Sequence, residues 1–176
     1  MVAKYMGRGE YLEKDAEGAW LLLIKTLKTD HAAAKIRAAL EFLPGGVGPE
    51  NPKRTKKVLQ GLINEGNSAA MISYAMKVLD LQKAEIGSDN SKKGITLLER
   101  AALEEKDSRA AIYLSLLFNQ GNVVPRDQKK AITFAQLAID AGVIRAYGTM
   151  GQIFQNPVSY THLRAHETGR NLVCRR

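Results

Sequence analysis

Three groups of residues in this 176-residue chain have the side chains to do chemistry. The first is His162, His166 and Cys174, close to the C-terminus. A His-x-x-x-His spacing puts two imidazoles on one helical face, which is how many zinc sites begin. Such a site needs four ligands, and no second cysteine or third acid is placed to supply them, so no metal is expected. The second group is Gly45-Gly46-Val47-Gly48 followed by Lys53, Arg54, Lys56 and Lys57. A phosphate-binding loop follows a strand and closes on Gly-Lys-Ser/Thr, and both features are missing. The glycines read instead as an inter-helix turn, because the same slot returns at Gly121–Asp127 with different residues. The third is His31, which has no acid or nucleophile at a useful spacing and reads as an exposed turn residue. No constellation supports an enzyme acting alone, and no cofactor is implied.

The composition sets the frame in which these residues sit. A hydrophobic fraction of 45% with 25% charged residues is that of an ordinary globular chain, and five prolines leave long stretches free to be helical. The formal charge is +8, three units of which come from beyond residue 157, where four arginines face only Glu167. The body therefore leans only mildly toward anionic partners. One cysteine excludes an intrachain disulfide. The longest apolar run, Ala19–Ile24, is far short of the ~20 residues that span a bilayer and reads as part of a core helix. No signal peptide is visible. The compartment is cytoplasmic by default, with a periplasmic location open if Met1 is not the native start.

An internal repeat organises the chain. Alanines at 34, 70, 110 and 146 are separated by 36, 40 and 36 residues. Four positions after each come Ala38, Tyr74, Leu114 and Met150, and the next residue is small every time: Ala39, Ala75, Ser115, Gly151. Three further on is a bulky apolar residue: Phe42, Val78, Phe118, Phe154. These offsets share one helical face, so each first helix carries a buried stripe. The small residue allows a partner helix to approach closely. A loop follows, and a second helix opens on Asp15, Asn51, Asn90 or Asp127, residue types that accept hydrogen bonds from free N-terminal amides. Gly66 and Gly142 close two of the second helices in the left-handed conformation, with Asp30 at the same place in the first copy. The third copy has three extra residues between its helices, so the loop Asp80–Ser91 is expected to bulge from the stack.

This pattern resembles the Sel-one-like repeat (SLR), a relative of the tetratricopeptide repeat. The match is best at Leu114, Phe118, Gly121, Val124, Asp127, Lys130, Ala131, Ala138, Gly142, Ala146 and Gly151. Departures are Ser115 for a family glycine, Gly94 for a family alanine, and the extended third copy. The resemblance implies an all-α fold, a right-handed α-solenoid of antiparallel helix pairs, acting as a scaffold for another protein. On this reading residues 1–33 are a partial repeat, followed by repeats at 34–69, 70–109 with a longer loop, and 110–145. Residues 146–156 form the first helix of a truncated repeat. Residues 157–176 break the pattern and resemble a translated sequencing adapter; the alternative is a disordered or interaction tail.

In helical-repeat stacks the first helices line the concave surface where ligands commonly bind. Offsets 3 and 7 from each opening alanine are adjacent on a helix, and there Arg37, Glu41, Ser73, Lys77 and Tyr113 are predicted to form a partner groove. Lys53, Arg54, Lys56 and Lys57 crowd a helix start, where the macrodipole disfavours cations, and are candidates for an anion contact. No aromatic residues interleave with them, which argues against single-strand binding, and nucleic-acid binding through this basic helix start is the less favoured alternative to a protein partner. The chain is expected to be a fragment of a longer protein, either an adaptor of repeats alone or the regulatory arm of a larger bacterial enzyme or envelope protein. At its C-terminal end Met150, Ile153 and Phe154 are expected to be exposed and to favour self-association.

Overall fold

The computed structural model describes residues 15–47 and 49–155. Among these residues eight α-helices follow one another: α1 (Ala16–Leu27), α2 (Ala32–Leu40), α3 (Pro52–Asn64), α4 (Ser68–Ser73), α5 (Asp89–Leu103), α6 (Ser108–Gln120), α7 (Gln128–Asp140) and α8 (Arg145–Phe154). A π-helical turn, Tyr74–Val78, extends α4, and a 3-10 turn, Leu81–Lys83, follows it. Among the described residues there is no strand.

The second helices start where their first amides find an acceptor. Asp15 Oδ1 accepts from Gly18 N at 2.8 Å, Asn51 Oδ1 from Arg54 N at 3.0 Å, and Asp127 Oδ1 from Lys130 N at 3.0 Å. Such a cap is worth about 1 kcal/mol. Pro52 takes the first helical position after Asn51, where its missing N–H leaves nothing unpaired. In the third copy the cap is not Asn90. Ser88 lies two residues earlier and its hydroxyl accepts from Ser91 N at 3.2 Å, so α5 starts sooner and Asn90 falls inside its first turn.

After α3 and α7 the chain turns through Gly66 and Gly142, with φ of +80° and +78°. Lys106, four residues before Ala110, does the same work at φ +52° without the freedom of glycine. Asp30 is not left-handed: the only such non-glycines among the described residues are Asp80 and Lys106. The end of α1 is held instead by Thr29, whose hydroxyl donates to the Thr26 carbonyl at 2.8 Å.

Each helix packs on its sequence neighbours, and the first helices also meet across the stack, α2 on α4 and α6 on α8. This chain of local contacts is an α-solenoid. Ala70, Ala110 and Ala146 are fully buried in one continuous core running from Ile36 to Ile153, while Ala34 is half-buried. Leu23, Ala38 and Phe42 form a separate small cluster, flanked by Trp20, Ile24 and Leu27. Only one side of α1 is therefore core: Ala19 and Leu23 are buried, but Leu21 and Leu22 face outward, 55% and 36% exposed.

Two further expectations change. Leu81 is fully buried and anchors the loop of the third copy in the stack, while Asp80, Gln82, Lys83 and Glu85–Gly87 around it stand in solvent. Ile153 is not exposed. It lies in the main core with Ala146, and Met150 packs partly against that core, because α8 rests on both α6 and α7. Of the three residues predicted to be open, only Phe154 is, at 38%.

Candidate interaction surfaces

The small residue of the first helix marks its crossing with the second. In α2/α3, Thr55 Oγ1 donates to the Ala39 carbonyl at 2.6 Å; in α6/α7, Ser115 Oγ donates to the Ala131 carbonyl at 2.9 Å. The two pairs thus place one buried hydroxyl at the same crossing, supplied from opposite sides. Above it the loop is pinned by Asn51 N to the Phe42 carbonyl, 2.8 Å, and by Asp127 N to the Phe118 carbonyl, 3.0 Å.

On this frame the first helices present Arg37, Lys77 and Tyr113 to solvent, with Glu41 and Ser73 half-buried. The pattern does not continue to the end of the stack. At the same offsets Leu117, Thr149 and Ile153 are buried, because α6 and α8 close on each other. Between the π turn that extends α4 and helix α6 a cleft of about 190 Å³ opens, the α4/α6 cleft, and Tyr113 is the one residue of the five that lines it. Its other walls include Met76, Gln82, Leu116, Gln120 and Asn122. Met76 and Leu116 both stand six residues after their opening alanines, an offset outside the predicted groove positions.

The basic start of α3 divides in two. The Arg54 guanidinium lies over the rings of Phe42 and Trp20, at 5.3 and 5.9 Å, and these rings meet edge to face at 5.1 Å. Cation–π attraction thus offsets the poor fit of a cation to a helix N-terminus. Lys130, also three residues past its cap, sits 5.1 Å over Phe118, which stacks on Phe134 at 5.9 Å. The recurrence of a cation three past the cap with a phenylalanine at offset 8 was readable in the sequence. Lys53, Lys56 and Lys57 are exposed and form no ion pair among the described residues.

Asp107 ties two first helices together. It caps α6, accepts the Ser68 hydroxyl at 2.7 Å from the start of α4, and pairs with Arg109 at 2.6 Å. Burial pushes its carboxyl up, but the hydrogen bonds from Arg109 and Ser68 outweigh this and hold it below the usual carboxylate range. The Asp107 hydrogen bond in turn raises the Arg109 guanidinium.

His31 is exposed at the cap of α2, and its side chain makes no capping bond. His162, His166 and Cys174 lie outside the described residues, among which no group of three metal-ligating side chains occurs. No described helix is long and apolar enough to cross a membrane.

No family model matches the sequence, and no curated protein matches it. Solved structures do match. A Sel1 repeat protein from Oxalobacter formigenes is 17% identical with a TM-score of 0.57, over 85% of this chain and 42% of that one. A protective antigen present in uropathogenic Escherichia coli strains, displaying an SLR fold, is 18% identical with a TM-score of 0.60, over 87% of this chain and 32% of that one. The chain spans less than half the length of either. At such identities the likeness defines the fold: this is an SLR-type α-solenoid.

Proposed function

We propose that the chain is a non-catalytic scaffold that holds another protein along its row of first helices. The observation that carries the reading is the cleft between α4 and α6, where the row is open. Tyr113, Met76 and Leu116 offer apolar contact there, and Gln82, Gln120 and Asn122 offer amides for a partner's backbone. Arg37 and Lys77 extend the same row with exposed charge, flanked by Glu41 and Ser73. Tyrosine and arginine are the side chains that dominate binding energy at protein interfaces.

Replacing Tyr113 with a photoreactive phenylalanine analogue tests the proposal. In a lysate of the source cell it is expected to crosslink a discrete protein, and Arg37→Ala with Lys77→Ala should cut that yield about tenfold. The same analogue at Thr133, exposed on α7, should not capture it. Equal labelling from both positions, or a yield indifferent to Arg37 and Lys77, contradicts the reading.

A further inference from the structure

Among the described residues, one groove lies between α1 and α3 and another between α5 and α7, and the contrast between them points to a second docking site. The groove between α5 and α7 encloses about 310 Å³ and is lined by Leu103, Leu137, one cation, Lys106, and one carboxylate, Asp140. The groove between α1 and α3 is larger, about 470 Å³. Ile24, Leu27, Val58 and Leu62 supply its apolar wall. Lys28, Lys35, Arg54 and Lys57 stand around that wall against a single carboxylate, Glu65. Four cations to one anion is thus a property of this groove and not of the fold.

Gly61 accounts for the difference in room. It stands ten residues past its cap Asn51, where α7 has Leu137, ten past Asp127. A glycine inside a helix destabilises it relative to alanine. At Gly94 a structural reason is present, since a Cβ would lie 2.7 Å from Leu81 Cδ1. At Gly61 a Cβ would meet nothing within 4 Å, so no contact inside the chain calls for the glycine. What it does is leave the groove unfilled. Three positions after Arg54, Lys57 occupies the place that Thr133 takes in α7, and it has no ion-pair partner among the described residues. Lys28 and Lys35 have none either. Arg54 is steadied over Phe42 and Trp20 and forms no ion pair among the described residues.

We propose that the α1/α3 groove docks an acidic amphipathic helix of another protein, its apolar ridge laid over Gly61 and its carboxylates meeting Lys28, Lys35, Arg54 and Lys57. Charge complementarity selects this occupant. A second copy of a chain carrying +8 is repelled, and nucleic acid has no apolar ridge for Ile24, Leu27, Val58 and Leu62. The site is separate from the α4/α6 cleft and stands or falls independently of it.

The probe is a labelled helical peptide of about four turns, with leucine at every third or fourth position and Asp or Glu elsewhere, followed by fluorescence anisotropy. The full chain is expected to bind it, and to bind its Lys/Arg counterpart and its leucine-to-glutamine counterpart at least about tenfold more weakly. Gly61→Leu, which copies the α7 residue, should weaken binding about tenfold while leaving resistance to urea unchanged or higher. Lys57→Glu should weaken it similarly, whereas Lys53→Glu, off the groove, should have little effect. Binding indifferent to Gly61→Leu and Lys57→Glu overturns the proposal. So does equal competition by polyglutamate or single-stranded DNA, which would show a purely electrostatic surface.

Discussion

The pairs α4/α5 and α6/α7 occupy successive places in the stack and close their crossings by different means. In α6/α7 the crossing holds Ser115 against the Ala131 carbonyl, with Phe118 stacked on Phe134 beside it. In α4/α5 the equivalent positions are Ala75 and Gly94, neither of which has a hydroxyl. There α4 widens into the π turn, and the extra residues send Leu81 inward to fill the space above Gly94. The hydroxyl of Ser91 reaches forward instead, donating at 2.7 Å to the Val123 carbonyl in the next loop. The regular pair is joined within itself; the irregular one packs a buried leucine against Gly94 and is bonded to its neighbour. A repeat therefore constrains the spacing of its helices more tightly than the residues that set it.

The contrast can be broken at Leu81. Leu81→Ala removes a fully buried side chain and is expected to cost about 3 kcal/mol in urea unfolding, with the midpoint falling accordingly. A cost below about 1 kcal/mol would mean that the inserted turn is a passive loop.

A smaller effect is expected at the hydroxyl crossing. Ser115→Ala should cost about 1 kcal/mol, and adding Ala131→Thr, which copies the donor arrangement of Thr55 in α3, should restore most of it. Losses that simply add would show that the two crossings are not equivalent.

The charge on Asp107 contributes less than about 1 kcal/mol, as partly exposed pairs do. Its folded pKa is depressed, so its contribution is present above the unfolded value and disappears as pH falls through the folded one. Asp107→Asn keeps a capping side chain but no charge. Its deficit in the unfolding midpoint should be constant near neutrality and should vanish as the solution is acidified past the carboxylate range.

The smallest change is a gain: Lys106→Gly relieves a left-handed lysine and should add about 0.5 kcal/mol, whereas Gly142→Lys should lose a similar amount.

What was legible in the sequence follows from this comparison. Small residues at offset 5, phenylalanines at offset 8 and capping Asp or Asn are type-specific, so the regular pairs could be placed from spacing alone. The π turn leaves no such trace, because one extra residue in a helix alters the phase without altering the composition. Leu81 looked like a loop residue since its burial depends on Gly94, thirteen positions away. Lys106 takes a glycine's conformation without a glycine's signature, and Ser88 caps α5 in place of Asn90 because its hydroxyl accepts from the Ser91 amide, starting the helix two residues earlier. Tyr113 lines the α4/α6 cleft from offset 3 of its helix, a position whose exposure does not extend to Thr149, while Met76 and Leu116 stand at offset 6, which carries no polar signal. Their role depends on a gap between α4 and α6 that no single helix encodes. Gly61 carries no signal within its own helix, because its effect shows only against Leu137, which lines the corresponding groove.

Native-state hydrogen exchange on Leu23→Ala tests most directly whether stability here is passed only between neighbours. Leu23 belongs to the small cluster with Ala38 and Phe42, apart from the main core. The expected result is lower protection in α1 and α2, with the amides of α6 and α7 unchanged to within about 0.5 kcal/mol. An equal loss of protection in every helix, as in one cooperative bundle, would contradict the solenoid as the unit of stability.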